Sequence, residues 1–162
     1  MLAADDLSFA VQRFHKLQGF PTREVFKPIT DQGDRYVVIQ FCHVLKDYAG
    51  QLLEFALIDK NKVNIPMLRL HLIAEEFSEM IEAWLIGDEV KFFDALIDLI
   101  YVIVGTGVTY DLPLGEGFDE VQRSNMTKER QPDDPQAARI RAKGPNYSAP
   151  NLVDILRRYR GV

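Results

Sequence analysis

The sequence contains one cysteine, Cys42, among 162 residues, so it has neither a disulfide framework nor a zinc site built from cysteines. Basic residues are also in the minority: 19 lysines and arginines stand against 24 aspartates and glutamates, a formal net charge of -5. A protein that binds along a nucleic-acid backbone needs a basic face, so we expect no nucleic-acid partner. A small nucleotide stays compatible with this charge, because a bound cation can supply positive charge.

The sequence also lacks a long apolar run free of charges. Charged side chains interrupt the first twenty residues, and the longest apolar stretch, near residues 95–108, contains Asp98. We therefore predict neither a signal peptide nor a membrane span. With a single cysteine, a reducing compartment fits best, and we expect a cytoplasmic location.

Two further absences exclude common site types. No GxxxxGK[ST] loop is present, which excludes a P-loop enzyme. The three histidines, at positions 15, 43 and 71, form no Glu-x-x-His motif of the kind that ferritin-like di-iron proteins use.

Apolar residues recur at helical spacing through most of the chain. The pattern predicts helices over residues 5–18, 35–59, 66–86, 88–111 and 114–128, and a short one over NLVDILRRY, residues 151–159. The second helix could be interrupted near Gly50, and YVVIQF within it could also form a strand. We predict an all-α, four-helix-bundle-type fold in one domain over residues 1–162, with its core at about 35–128 and a C-terminal arm at 129–162.

The helix after Pro66 carries several glutamates on one side. Glu75, Glu79 and Glu82 lie on one stripe by the three- and four-residue spacing rule, and Glu76 borders it. The opposite face is apolar and is predicted to face the core: Ile73, Phe77, Met80, Ile81 and Trp84. Taken alone, the stripe could equally be a solvated helix surface.

The next helix carries two aspartates in an apolar sequence, which argues against a purely solvated acidic surface. Around Asp94 and Asp98 it reads FFDALIDLIYVIV, which is apolar on every side and is typical of a buried helix. Buried carboxylates must be paired or must hold a cation, and the nearby bases, Arg69 and Lys91, are too few for such a cluster. Oxygen ligands of this kind suit Mg²⁺ or Mn²⁺. The alternative is that both aspartates bond Tyr, Lys or Arg side chains across a bundle.

Several segments resemble the MazG-like, all-α nucleoside triphosphate pyrophosphohydrolases. Their EExxE motif appears as Glu75-Glu76-Phe77-Ser78-Glu79, and their second acidic motif, ExxD, is matched by Asp94-Ala95-Leu96-Ile97-Asp98. The segment 119–128, DEVQRSNMTK, is similar to EVHRSNMSK of the branch resembling phosphoribosyl-ATP pyrophosphohydrolase, and KGPNY, residues 143–147, resembles its KGPxY tail. The resemblance spans residues 66–156 and departs from the pattern at Ala95, where the family has a glutamate.

The resemblance implies roles for individual residues. It makes Glu76, Glu79 and Asp98 the expected Mg²⁺ ligands and Glu75 a ligand or the base that orients water. Asp94 lies one position before Ala95, and three roles stay open for it. It could bind the metal directly, contact a metal ligand without touching the metal, or replace the missing glutamate with a changed metal geometry. The expected catalytic residues are then Glu75, Glu76, Glu79 and Asp98. The expected metal ligands are Glu76, Glu79, Asp94 and Asp98.

Substrate contacts are predicted on two helices. The resemblance implies that Asn125 and Lys128 meet substrate phosphates, and both continue the inward stripe of Phe118 and Val121. Lys128 could instead extend into water at the helix end, where a cation suits the helix dipole. Lys91 and Tyr101, on the helix of the two aspartates, are further candidates. Lys143 and Tyr147 could close over the site or form an ordinary docking tail.

These observations predict Mg²⁺-dependent hydrolysis of a nucleoside triphosphate to the monophosphate and pyrophosphate. Two alternatives stay open: a non-catalytic helical bundle that binds a nucleotide or a partner, and a purely structural dimerisation module. Because a single hairpin with so apolar a second helix cannot cover itself, we expect a homodimer or a dimer of dimers.

Overall fold

The computed structural model describes residues 4–129 and 143–162, and every regular element within them is an α-helix. The helices are α1 (Ala4–Gln18), α2 (Gln32–Leu57), α3 (Ile65–Ile86), α4 (Glu89–Thr109), α5 (Leu114–Met126) and α6 (Leu152–Arg160). The all-α prediction is therefore confirmed. α2 begins three residues before the predicted start and continues through Gly50 without a break. Much of the predicted arm, residues 130–142, lies outside the described residues.

Side-chain caps explain where four of the helices begin. Each cap oxygen accepts a hydrogen bond from a backbone N–H in the first turn: Asp31 for α2, Asn64 for α3, Asp88 for α4 and Asn151 for α6. These bonds satisfy donors that have no partner inside the helix. At the other end of α3, Gly87 has φ 76°, a left-handed conformation that favours glycine. Gly87 and Asp88 thus form the tight turn between α3 and α4 that the sequence predicted.

The chain divides into two compact units. The central unit, Val25–Tyr110, contains α2, α3 and α4, and the terminal unit contains α1, α5 and α6. The organisation of the whole chain as one domain stays a prediction.

In the central unit, α3 packs against α2 on one side and α4 on the other. Its fully buried apolar core is small and centres on Cys42, Ile81 and Leu85, with Phe77 partly buried against them. Cys42 is thus the small core residue that its apolar neighbours suggest. Next to Gly87, Trp84 packs on Phe92 with ring centroids 5.2 Å apart. Of the predicted core face of α3, only Ile81 is fully buried, since Trp84 keeps 39% of its surface exposed.

In the terminal unit, polar side chains join α1 to α5. The Gln122 amide donates to the Ala10 carbonyl at 2.7 Å, and the Gln18 amide donates to the Lys128 carbonyl at 2.8 Å. Gln18 is 2% exposed, so its bond forms away from water. These side-chain-to-backbone bonds fix α1 beside α5 without a large apolar core.

The C-terminal helix packs on α5. The Tyr159 hydroxyl donates to Asp111 at 2.7 Å, and Arg123 donates to the Ala149 carbonyl at 3.0 Å. Glu120 accepts from the Asn151 backbone at 2.7 Å and from Arg123 at 2.8 Å, and these bonds lower its pKa to about 2, with Arg123 the larger cause. Arg123 is exposed, and its role in holding residues 148–151 was not predicted from the sequence.

The prediction that α4 is buried all round was wrong for this chain. Within the described residues, α4 fully buries just Ala95 and Gly107. Asp94 and Asp98 are exposed, and so are large apolar neighbours such as Phe93, which keeps 63% of its surface exposed. The reason is that, among the described helices, α4 packs mainly on α3, and a helix can bury only one face against one neighbour.

Candidate active site

The glutamates of α3 are divided between its two neighbours. Glu82 accepts an ion-paired hydrogen bond from Lys46 of α2, with Nζ and Oε1 2.5 Å apart. Both side chains are nearly half exposed, at 43% and 47%. Glu82 therefore already has a cationic partner, although helical spacing placed it on the same stripe as Glu75 and Glu79.

Glu75 lies beside a buried histidine. The Nδ1 atom of His71 is 3.0 Å from the carbonyl oxygen of Ala49 on α2, and its Nε2 atom is 3.4 Å from a carboxylate oxygen of Glu75. His71 is 8% exposed, so α2 and α3 hold the ring in place. The ring thus lies between the Ala49 carbonyl and Glu75, the residue predicted to bind metal or orient water.

Glu76 faces a different environment. Its pKa is raised above the ordinary range of a glutamate, first by burial and then by the negative charges of Glu79, Asp98, Glu75 and Asp94. Those four carboxylates therefore lie close enough to Glu76 to act on it electrostatically. In the described part of the chain, no lysine, arginine or histidine forms an ion pair with Glu76, Glu79, Asp94 or Asp98.

The two bases that could have neutralised this cluster have other positions. Arg69 donates through Nε to the Thr106 hydroxyl at 3.1 Å and through Nη2 to the Val102 carbonyl, so it joins α3 to α4. Its guanidinium also occupies the space beside Gly105, where an added Cβ would meet Nη2 at 3.0 Å. Lys91 is exposed and contributes its backbone N–H to the Asp88 cap at 3.0 Å. Neither forms an ion pair with an acid of the cluster.

The cluster is wetter and looser than the sequence suggested. Glu75 and Glu76 are half-buried, whereas Glu79, Asp94 and Asp98 are exposed. Among residues 4–129 and 143–162, no three Asp, Glu, His or Cys side chains converge closely enough to hold a metal ion by themselves. The expectation that Asp94 and Asp98 are buried was therefore wrong for the single chain, because α4 packs mainly on α3 within the described residues.

The donor chemistry nevertheless suits a hard cation. Every candidate ligand, on α3 and α4 alike, is a carboxylate. Mg²⁺ keeps several waters and commonly binds through one or two carboxylates plus substrate phosphates, so it does not need three protein ligands brought together beforehand. Magnesium binding at Glu76, Glu79, Asp94 and Asp98 stays a prediction with compatible chemistry.

The predicted substrate contacts fall in both units. Lys91 and Tyr101 are on α4 in the central unit, and Tyr101 keeps 77% of its surface exposed. Asn125 and Lys128 are half-buried in the terminal unit, where Lys128 lines a cavity of about 520 Å³. The cavity's other lining residues are Leu17, Met126, Thr127, Glu129 and Asn146. A phosphate-binding role for Asn125 and Lys128 stays a prediction.

Sequence reasoning missed the contributions of α2. Lys46 and the Ala49 carbonyl both act on acids or their neighbours in α3. The spacing of Cys42, Lys46 and Ala49 by four and three residues gave a usable signal, because it places Lys46 on the face of α2 that packs on α3. The partner of Lys46 could not be read from spacing, since that depends on how α2 and α3 are aligned.

Comparison with known protein families shows that residues 55–125 are similar to an all-α pyrophosphohydrolase family. The matching family model is that of phosphoribosyl-ATP pyrophosphohydrolase, and the matched segment includes all of α3 and α4. The resemblance predicted from the acidic motifs is thus confirmed over this segment. No curated protein and no solved structure matches the chain. The family indicates a hydrolase that releases pyrophosphate from a nucleotide-like substrate.

Proposed function

We propose that the protein hydrolyses a nucleoside triphosphate to the monophosphate and pyrophosphate in a Mg²⁺-dependent reaction. One observation carries the proposal: Glu76 lies among carboxylates, and no ion pair in the described part of the chain involves Glu76, Glu79, Asp94 or Asp98. Neighbouring like charges repel one another and a bound cation relieves that repulsion, so a group of carboxylates of this kind favours a cation. A triphosphate shares that need for positive charge.

The proposed roles follow the positions of the side chains. Glu76, Glu79 and Asp98, with Asp94 beside them, would hold Mg²⁺, which would offset the charge of the phosphates when bound. Glu75, which lies beside His71, positions water and accepts its proton as the water oxygen bonds to the α phosphorus. The bond from that phosphorus to the bridging oxygen breaks, and pyrophosphate leaves with the bonding electrons. Lys91 and Tyr101, which lie on the same helix as the two aspartates, would contact the substrate.

A second substrate is favoured by the family match over residues 55–125. Phosphoribosyl-ATP carries the same triphosphate group, so the same carboxylates would release pyrophosphate from it. The carboxylates do not discriminate between bases or between sugars, because in this mechanism they act only at the phosphates. A cytoplasmic location, where both kinds of nucleotide occur, remains part of the proposal.

The test is pyrophosphate release from a panel of ribo- and deoxyribonucleoside triphosphates and phosphoribosyl-ATP, with and without Mg²⁺. We expect turnover of at least one substrate that requires the metal. Glu79→Gln and Asp98→Asn should each lower kcat by on the order of a hundredfold, while the circular dichroism spectrum is unchanged. Glu82→Gln is the matched control, because Glu82 is paired with Lys46 and should leave kcat within about twofold of the wild-type value.

Three results would contradict the proposal. Wild-type rates in both Glu79→Gln and Asp98→Asn would remove the carboxylates from catalysis. Nucleotide binding without turnover of any substrate would favour a non-catalytic binding bundle. The absence of any thermal shift with nucleotide and Mg²⁺ would favour a structural module.

A further inference from the structure

Polar contacts connect α3 and α4 at the end of the pair that lies away from the turn. At the near end, the tight turn of Gly87 and Asp88 joins the two helices directly. At the far end, the half-buried Arg69 reaches from α3 to α4. Its Nε atom donates to the Thr106 hydroxyl at 3.1 Å, and its Nη2 atom donates to the Val102 carbonyl. Because the Thr106 hydroxyl donates to the same carbonyl at 2.8 Å, the three groups form one hydrogen-bonded cluster.

Gly105 leaves room for this contact. A Cβ atom at position 105 would lie 3.0 Å from Nη2 of Arg69, which is closer than an ordinary van der Waals contact. A glycine inside a helix lowers helix stability by up to about 1 kcal/mol relative to alanine, so a glycine at this position has a cost. The Arg69 contact is therefore built from both helices, with a long side chain on α3 and a missing side chain on α4.

Arg69 does not neutralise the acids that lie further along the same helix. Among the described residues, its guanidinium forms no ion pair with a carboxylate. It donates instead to a carbonyl and a hydroxyl of α4. The planar guanidinium presents several donors in a fixed arrangement, which suits it to hold two helices in one alignment. Its contribution is therefore geometric.

The Arg69 contact specifies which residues of the two helices lie opposite each other. The short turn makes α3 and α4 antiparallel, so each step forward along α3 corresponds to one step back along α4. Arg69 lies opposite residues 102–106, and Glu76, seven residues further on, therefore lies opposite residues 95–99. That range contains Asp98.

The same count places Glu79 opposite residues 92–96, a range that contains Asp94. The electrostatics agree with this alignment. The pKa of Glu76 is raised first by burial and then by the negative charges of its acidic neighbours, with Asp98 and Asp94 among them. The contact at one end of the helix pair is thus consistent with the positions of the acids in its middle.

The acids lie between the turn and the Arg69 contact, and their repulsion opposes packing there. No ion pair in the described part of the chain involves an acid of this cluster: Glu76, Glu79, Asp94 or Asp98. Other contacts of α4 are few, since among the described helices it packs mainly on α3. α4 is long and apolar enough to cross a bilayer, a test that the core helix of a soluble protein also passes, and only 17% of its apolar window is buried inside the chain.

We infer that Arg69 is a positioning residue that, together with Gly105 and the Val102 carbonyl, holds α4 in alignment with α3 against the repulsion of the acids between them. Mg²⁺ accepts little deviation from octahedral geometry, so a change in this alignment would weaken a metal site that uses carboxylates of both helices. The consequence for catalysis rests on the proposed function, whereas the alignment itself does not.

Distances between spin labels test the alignment without metal or substrate. Nitroxides are attached to Leu70→Cys on α3 and Val108→Cys on α4, at positions that are 50% and 74% exposed. This is the far-end pair, and the native Cys42, 2% exposed, should not react. We expect Arg69→Ala to lengthen the distance between the labels by about 3 Å or more, which is the rise of two helical residues. Electron paramagnetic resonance measures the change.

Two controls separate the Arg69 contact from general loosening. Labels on Ile86→Cys and Val90→Cys, beside the turn, should keep their distance in Arg69→Ala, because the turn is intact. Gly105→Val deletes no hydrogen-bonding group but fills the space of the guanidinium, so it should lengthen the far-end distance even if Arg69→Ala does not fold. Gly50→Val is its matched control, since an added Cβ there meets nothing within 4 Å.

Removing one charge tests the role of repulsion. In the Arg69→Ala background, Glu76→Gln should recover about half or more of the lengthening, because it removes a charge from between the two helices. Glu82→Gln should recover none of it, since Glu82 is paired with Lys46 on α2.

The Mg²⁺ requirement of turnover tests the consequence for catalysis. Arg69→Ala should raise the Mg²⁺ concentration that gives the half-maximal rate by about tenfold or more, because misplaced ligands bind the metal less well. A loss of stability alone would lower the amount of folded enzyme without changing that concentration. Arg69→Lys, which keeps one donor for the Val102 carbonyl, should recover part of the effect.

The outcomes distinguish this inference from the proposed function. An unchanged far-end distance in both Arg69→Ala and Gly105→Val would overturn the inference, whatever the chain does with nucleotides. A lengthened distance in a chain whose wild type turns over no nucleotide would remove the proposed function and support the alignment role. A lengthened distance with wild-type turnover and an unchanged Mg²⁺ requirement would overturn the role of Arg69 in positioning the site.

Discussion

On the side of α3 that packs against α2, Glu82 is paired with Lys46, and Glu75 lies beside His71. On the side toward α4, Glu76 has only carboxylates as charged neighbours that alter its pKa. The same residue type, less than two turns apart on one helix, is thus neutralised by the protein on one side and left with uncompensated repulsion on the other. The comparison teaches that the number of acids does not define a candidate cation site: the absence of a basic partner does.

The largest effect is expected for Glu76→Gln. If Glu76 binds the metal, kcat should fall by on the order of a hundredfold or more. The same substitution should raise stability at neutral and alkaline pH. The pKa of Glu76 is raised in the folded state, which means that the folded state binds this proton more tightly than the unfolded state does. Stability from Glu76 is therefore present at low pH and lost as pH rises through its raised pKa.

The measurement is thermal unfolding without divalent cations. At pH 8, Glu76→Gln should raise Tm by about 2 °C over the wild type, and the difference should vanish near pH 4, where the wild-type carboxyl is largely protonated. Glu82→Gln is the control and should give no gain, because its carboxylate is paired with Lys46. A lower Tm for Glu76→Gln at pH 8 would show that Glu76 is compensated, and the contrast between the two sides of α3 would disappear.

A medium effect is expected at Arg69, the base that lies between α3 and α4 but does not neutralise the acids. Arg69→Ala removes its hydrogen bonds to Thr106 and Val102 and should lower the free energy of unfolding by about 2 kcal/mol. Arg69→Lys should recover less than half of this loss, since one ammonium group cannot reproduce the forked geometry. Denaturant unfolding measures both variants. A loss below about 0.5 kcal/mol in Arg69→Ala would mean that these bonds contribute little to α3–α4 packing.

The smallest effect is expected for the paired side of α3. Lys46→Met should lower the free energy of unfolding by only about 0.5 kcal/mol, because both partners are nearly half exposed to solvent. The loss should shrink in 1 M salt, where exposed charges are screened. A double-mutant cycle with Glu82→Gln isolates the interaction. A coupling energy above about 2 kcal/mol would show that this pair is as important to the fold as the contacts of Arg69.

Local sequence signals located most of the secondary structure. Asp88 and Gly87 mark the turn between α3 and α4 because one side chain caps a helix and the other residue accepts a left-handed conformation. The EExxE segment and the Asp94–Asp98 pair led to the family that matches residues 55–125. Burial was predicted less well. The apolar sequence of α4 predicts that most of the helix surface is buried. It does not specify whether the residues that bury this surface belong to the same chain.

The helices and the positions of the carboxylates along α3 and α4 could be predicted from the sequence, because spacing and motif are properties of neighbours along the chain. Which acids have basic partners depends on the fold. Lys46 reaches Glu82 across 36 residues and Arg69 reaches Thr106 across 37, while Glu76 is left among other carboxylates. Such pairings depend on the alignment of one helix on another, which is set by packing of whole faces rather than by the residues adjacent to each charge.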